Sequence, residues 1–124
     1  KQAVVLKEVS VMTGNVITPT ATVRAIVRGE EKVLAATGVG PVDAAVSAVR
    51  GLVGDDTAIT LRDFKIEAIT GGSNALAEVV IGVENSCRGK IVTARSARED
   101  IVMASVEALV SAINRLMLLE EDQS

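Results

Sequence analysis

The segment Gly38-Val39-Gly40-Pro41-Val42-Asp43 is the first in the chain whose residue types and spacing could do chemistry. A glycine pair leading straight into a helix start leaves backbone N–H groups without intrahelical partners, and the helix dipole favours negative charge there. A carboxylate or a phosphate is what such a corner would accept, although the same pattern also serves as a plain tight turn. The longer phosphate fingerprints, GxGxxG and GxxxxGK(S/T), do not occur. A second polar loop, Gly71-Gly72-Ser73-Asn74, reads either as a hairpin connection needing positive φ or as a hydrogen-bonding loop beside a ligand. Asp43 falls in the first turn of the first helix and Asp100 opens the second, so both read as caps or dipole partners. Asp43 could also face a ligand ammonium. Phe64 is the one large ring available to wall a pocket.

Several chemistries are missing. The chain has no His, Trp or Tyr, one Phe and one Cys. Without His it lacks the commonest general base near neutral pH and the commonest metal ligand. Ser47, Ser105 and Ser111 therefore have no triad partners, and Cys87 has neither a base nor a second thiol, so nucleophilic catalysis has no support. One Cys also excludes an internal disulfide and a multi-thiolate zinc site, which suits a reducing cytosol. The net charge of −3, with basic residues scattered and no aromatic interleaving, argues against nucleic acid or an anionic membrane as partner. The uncharged stretch 9–23 is too short and too rich in Thr, Gly, Asn and Pro to span a bilayer. No N-terminal signal sequence is visible. The chain starts at Lys1 rather than Met, which suggests a piece of a longer protein. What remains is a binding inventory suited to a small zwitterion with an apolar side chain.

The elements that must position these residues repeat. Residues 21–28 alternate Ala21, Val23, Ala25 and Val27 against Thr22, Arg24 and Arg28, the period of a half-buried strand. Gly29-Glu30-Glu31 reads as a turn and 32–37 as the returning strand. Pro41 suits a first helical turn, and Val42, Ala45, Val46, Val49 and Val53 follow at helical spacing until Gly51 and Gly54 weaken and end the helix. Residues 60–70 set Phe64, Ile66 and Ala68 against Asp63, Lys65 and Glu67, a solvated face. Strands at 75–83 and 90–96 follow, then a helix from Asp100 whose acidic end, Glu120-Glu121-Asp122, predicts fraying. With 4–12 as the first strand, the order is βββα twice. Val23 is matched to Val79, and segment 37–46 to 96–105. The expected fold is α+β, one domain over 1–124. Its two pseudo-symmetric units, about 3–54 and 58–119, should pack together with helices covering the sheets. A mean hydropathy of +0.39 with almost no rings suggests that another copy or domain covers one face, so a dimer is expected.

Two segments carry a family resemblance. Thr37-Gly38-Val39-Gly40-Pro41-Val42-Asp43-Ala44-Ala45 resembles the "(T)GxGPVDA" segment of the C-terminal regulatory domain of 2-isopropylmalate synthases. Asp63-Phe64-Lys65-Ile66-Glu67-Ala68-Ile69-Thr70-Gly71-Gly72-Ser73-Asn74-Ala75 resembles that domain's "DYxVxAxTGGTDA" segment, with Phe64 for Tyr, Ser73 for Thr and Asn74 for Asp. The resemblance runs over roughly 9–116. It implies two βββα units that dimerise, bind the end-product amino acid of the pathway and inhibit a catalytic barrel elsewhere in the parent chain. The effector is leucine in isopropylmalate synthases and isoleucine in citramalate synthases, and leucine is the preferred expectation here. Carried over by position, effector-binding residues are Gly38, Gly40, Val42, Asp43, Leu61, Phe64, Ala68, Ala75, Ala77 and Ile101. The resemblance implies no catalytic residue, metal or cofactor in this chain; a divalent metal and acetyl-CoA belong to the parent enzyme, an acyltransferase of the cytoplasm. The other expectations are an isoleucine-binding domain of a citramalate synthase, or a dimerisation module without effector.

Overall fold

The computed structural model describes residues 3–14, 17–54, 59–69, 76–85 and 89–122, with backbone alone at 59, 68, 69 and 119–122. The elements run β1 (Val4–Met12), β2 (Thr20–Val27), β3 (Glu30–Thr37), α1 (Pro41–Val53), β4 (Ile59–Ile69), β5 (Leu76–Asn85), β6 (Lys90–Arg98) and α2 (Ile101–Asp122). The chain divides into unit one, Lys1–Thr57, and unit two, Ala58–Ser124. Each unit is an antiparallel three-stranded sheet, ordered β1-β2-β3 or β4-β5-β6, followed by a helix. The α+β, twice-βββα expectation holds.

In unit one the alternation along β2 works as period two requires: Ala21, Val23, Ala25 and Val27 are buried while Thr22 and Arg24 are exposed. Helix α1 lies on β2 and β3, and its Ala44, Ala45 and Ala48 are wholly buried. Small side chains there let helix and sheet approach closely. The β2–β3 turn is shorter than the sequence suggests. Arg28 (φ 51) and Gly29 (φ 83) form it alone, and β3 begins at Glu30. Two residues with positive φ match the right-handed strand twist, so Glu30 and Glu31 stay in the ladder. Gly54 (φ 77) ends α1 with its N–H on the Arg50 carbonyl at 3.3 Å.

In unit two, Val79, Ile81 and Val83 on the central strand are 0% exposed, and α2 lies across β5 and β6. Ala104, Ala108 and Ala112, one turn apart, are likewise sealed against the sheet, with Leu109, Ile113 and Leu116 beside them. The stretch Ile101–Leu118 is long and apolar enough to cross a membrane by length and composition, but most of it is buried in the core of the unit. Asp100 caps the helix: its Oδ1 accepts the N–H groups of Val102 (2.8 Å) and Met103 (3.3 Å). Helix α2 runs through the acidic residues Glu120 and Glu121 to Asp122.

The repeat is real, but its register differs from the one read in the sequence. Both first strands carry a bulge, between Leu6 and Glu8 in β1 and between Leu61 and Asp63 in β4. Leu6 faces Ala25, whereas Leu61 faces Val83. Aligning the bulges makes Ile81, not Val79, the counterpart of Val23. Pro41 and Ile101 both open helices, so Val46 corresponds to Val106 rather than to Ser105. The β4–β5 hairpin is longer than β1–β2, and matching like residues across it slips the alignment.

Candidate functional site

The corner between β3 and α1 is built by three backbone devices. The Gly38 N–H donates to the Pro19 carbonyl at 3.0 Å, tying the loop to the start of β2. Gly40 is the N-cap (φ −160, ψ 173) and Pro41 follows it, while the Ala44 N–H closes the first helical bond on the Gly40 carbonyl at 2.9 Å. The Val39 N–H donates to Asp43 Oδ2 at 3.0 Å. Asp43 therefore acts as a cap by reaching back to the residue before the N-cap, as the acid of a capping box reaches back. The N–H groups of Val42 and Asp43 precede the first intrahelical bond. Donors and a carboxylate thus share one turn, so the corner offers both signs of partner.

The two glycines here have different reasons to exist. A Cβ on Gly38 would lie 2.5 Å from both the Ala44 nitrogen and Asp43 Oδ2, and 2.9 Å from the Ala44 Cα. The chain's own packing demands glycine at 38. At Gly40 a Cβ would meet nothing within 4 Å, and its extended backbone is open to any residue. The space over Gly40 lies open, flanked by a Val39 side chain that is 96% exposed.

In unit two the register sets Leu61 opposite Val83, Phe64 opposite Ile81 and Ala68 opposite Ala77. These positions share the sheet face on which Val79, Ile81 and Val83 are buried. Leu61, Phe64 and Ala77 are half-buried, and Ile66 on the same face remains 46% exposed. Ile101 is the first residue of α2 and half-buried. Ala75 and the loop 70–74 lie outside the described residues. Of the residues expected to bind effector, unit one thus holds Gly38, Gly40, Val42 and Asp43 in one corner. Unit two gathers Leu61, Phe64, Ala68 and Ala77 on one face, with Ile101 opening its helix.

Among the described residues no three His, Cys, Asp or Glu side chains gather as metal ligands. Ser105 is buried with its hydroxyl donating to the Ile101 carbonyl at 2.8 Å, a helical back-bond. The sequence reading missed one feature. On the face of the β4-β5-β6 sheet opposite the apolar one, a hollow of about 320 Å³ opens over Gly82, lined by Asp63, Phe64, Lys65, Val80, Gly82 and Thr93. Gly82 breaks an otherwise aliphatic run in β5, and that break is the signal that could have found it.

A sequence model of the LeuA allosteric (dimerisation) domain matches residues 1–117. The whole chain is 59% identical to part of a probable 2-isopropylmalate synthase of Methanosarcina mazei, of which it covers 24%. It is 45% identical to a 2-isopropylmalate synthase of Methanocaldococcus jannaschii over 97% of this chain and 22% of that protein. A putative (R)-citramalate synthase of Methanothermobacter thermautotrophicus is 47% identical over 95% of this chain and 23% of its own length. The chain spans about a quarter of the length of these relatives.

Proposed function

Because the chain belongs to the LeuA allosteric (dimerisation) domain family, we propose that it is the regulatory domain of a 2-isopropylmalate synthase. In this reading it binds leucine, the end product, for feedback inhibition, and it joins two copies of the parent enzyme. The family match over residues 1–117 carries the reading. The catalytic work, an acyl transfer from acetyl-CoA at a divalent metal, belongs to the part of the parent outside this chain. The parent works in the cytoplasm in branched-chain amino-acid biosynthesis.

The corner chemistry supports an amino acid as effector. The effector carboxylate takes the N–H groups of Val42 and Asp43, and the ammonium takes the Asp43 carboxylate, already held in place by Val39. Gly38 and Gly40 let the ligand approach the backbone. The expected effector-binding residues of unit two, Leu61, Phe64, Ala68, Ala75, Ala77 and Ile101, are small, aliphatic or aromatic, the types that contacts to an apolar side chain require. Phe64 has no hydroxyl, so the polar recognition falls on the corner.

Leucine and isoleucine differ only in branching, and apolar walls separate such ligands by about 1–3 kcal/mol. The relatives named probable 2-isopropylmalate synthase at 59% and 58% identity favour leucine. Relatives named putative (R)-citramalate synthase at 47% keep isoleucine as the second reading. Isothermal titration calorimetry with leucine, isoleucine and valine separates the readings. Leucine is expected to bind tightest, by about tenfold or more over isoleucine. Tighter binding of isoleucine moves the domain to the citramalate reading. No heat with any of the three, on a folded dimer, leaves only dimerisation and overturns sensing.

A further inference from the structure

On the face of the β4-β5-β6 sheet toward α2, the register sets Phe64 opposite Ile81, Ile66 opposite Val79 and Ala68 opposite Ala77. Helix α2 packs on β5 and β6, and Val79 and Ile81 are sealed beneath it. β4 is the edge strand, and the same face is less covered there: Phe64 is half-buried and Ile66 is 46% exposed. A lone exposed isoleucine is ordinary on a protein surface. Ile66 differs in its neighbours, because the strand period puts it between Phe64 and Ala68 on one face. Its row pairs isoleucine with valine, and the next row pairs two alanines, a step in the surface of the sheet. Arg98, paired with Ala77 across β6, is held by Glu107 of α2, so its charge is matched. Three residues beyond Arg98 the helix opens with Ile101, itself half-buried. This end of unit two therefore suits an aliphatic group, whereas a charged one would lose hydration there without gaining a partner.

The family motifs do not single out Ile66, but strand geometry does. Phe64 and Ala68 are four residues apart, about 13 Å along an extended strand, and Ile66 stands midway. A side chain as short as that of leucine meets both only by lying over Ile66. We propose, on the basis of the leucine reading above, that Ile66 is a specificity-determining residue of the effector site. The isobutyl group of leucine lies on the Ile66 side chain, over the step down to the alanine pair. A γ-branched guest spreads its methyls one bond further from its Cα than a β-branched guest does. A fixed wall at Ile66 therefore meets leucine and isoleucine at different depths, and the shape of that wall sets which one fits.

The test is calorimetric titration of the 124-residue chain with leucine, isoleucine and valine, unmodified and as Ile66→Ala, Ile66→Leu and Ile91→Ala. Ile91 is 56% exposed on β6, opposite Glu84 on the other face of the sheet, and controls for the loss of an exposed isoleucine as such. Ile66→Ala is expected to weaken leucine by about tenfold and to move the leucine-to-isoleucine affinity ratio by about threefold or more. Ile91→Ala should change neither. Ile66→Leu keeps the volume and moves the branch, so it should shift the ratio while the unfolding midpoint stays put. If Ile66→Ala does not fold, Ile66→Leu decides. Leucine binding unchanged in the folded Ile66 variants overturns the proposal and leaves the leucine reading standing. So does a loss equal for all three amino acids, or one that Ile91→Ala reproduces. No heat with any amino acid on the unmodified chain overturns both.

Discussion

Gly38 and Gly40 look interchangeable in the sequence, and the packing around them separates their roles. Adding a methyl at 38 drives it into the Ala44 backbone and the Asp43 carboxylate, neither of which can swing aside without opening the helix start. Gly38→Ala is expected to cost about 1–3 kcal/mol of stability. Gly40→Ala, with open space and an extended backbone, should stay within about 0.5 kcal/mol of the unmodified chain. Urea denaturation of the two variants measures the contrast; equal costs would contradict the assignment. Asp43 was legible as a residue of the first helical turn, but its partner was not, because nothing in the spacing says that the chain before the N-cap folds back over it. The Gly82 hollow was illegible for a related reason. A glycine in a strand opens a hollow only against particular cross-strand neighbours, and the bulge between Leu61 and Asp63 shifts which ones it faces.

At the scale of elements, period two and period 3.6 were enough to place strands and helices, because one face of each is buried. Val23 between Thr22 and Arg24 shows why: burial and sequence alternate together along β2. Turn lengths were less legible, since Arg28 is an unusual residue for positive φ. Two predictions belong here. Asp100→Ala removes the acceptor for the Val102 and Met103 N–H groups and should lower the stability of unit two by about 1 kcal/mol. Amide hydrogen exchange at the start of α2 reads this out as faster exchange. In α1, a Cβ on Gly51 would sit 2.4 Å from Leu34 Cδ2, the free end of a side chain on β3. Gly51→Ala gains about 1 kcal/mol in helix propensity, but Leu34 must move to admit it. The gain should appear in full only when Leu34 is also Ala. A double-mutant cycle in which the two changes simply add would contradict this packing.

For the whole molecule, each sheet is sealed by an alanine-rich helix, and the chain belongs to the LeuA allosteric (dimerisation) domain family. Light scattering is expected to give twice the chain's 12.8 kDa. The family was legible because its two motifs fall at the β3–α1 corner and along β4, where close approach and strand alternation constrain residue type. Leucine and isoleucine were not separable from the sequence, because the Ala, Leu and Ile side chains proposed to meet the effector suit either branched amino acid. The most direct measurement of the central claim is a map of amide resonances on adding leucine. The account predicts shifts concentrated at Val39, Gly40, Val42, Asp43, Phe64 and Ala77, and their loss in Gly40→Val, which crowds the open space over residue 40 while sparing the dimer. Saturable leucine binding that leaves the residue 38–43 corner unmoved, or that survives undiminished in Gly40→Val, would contradict it.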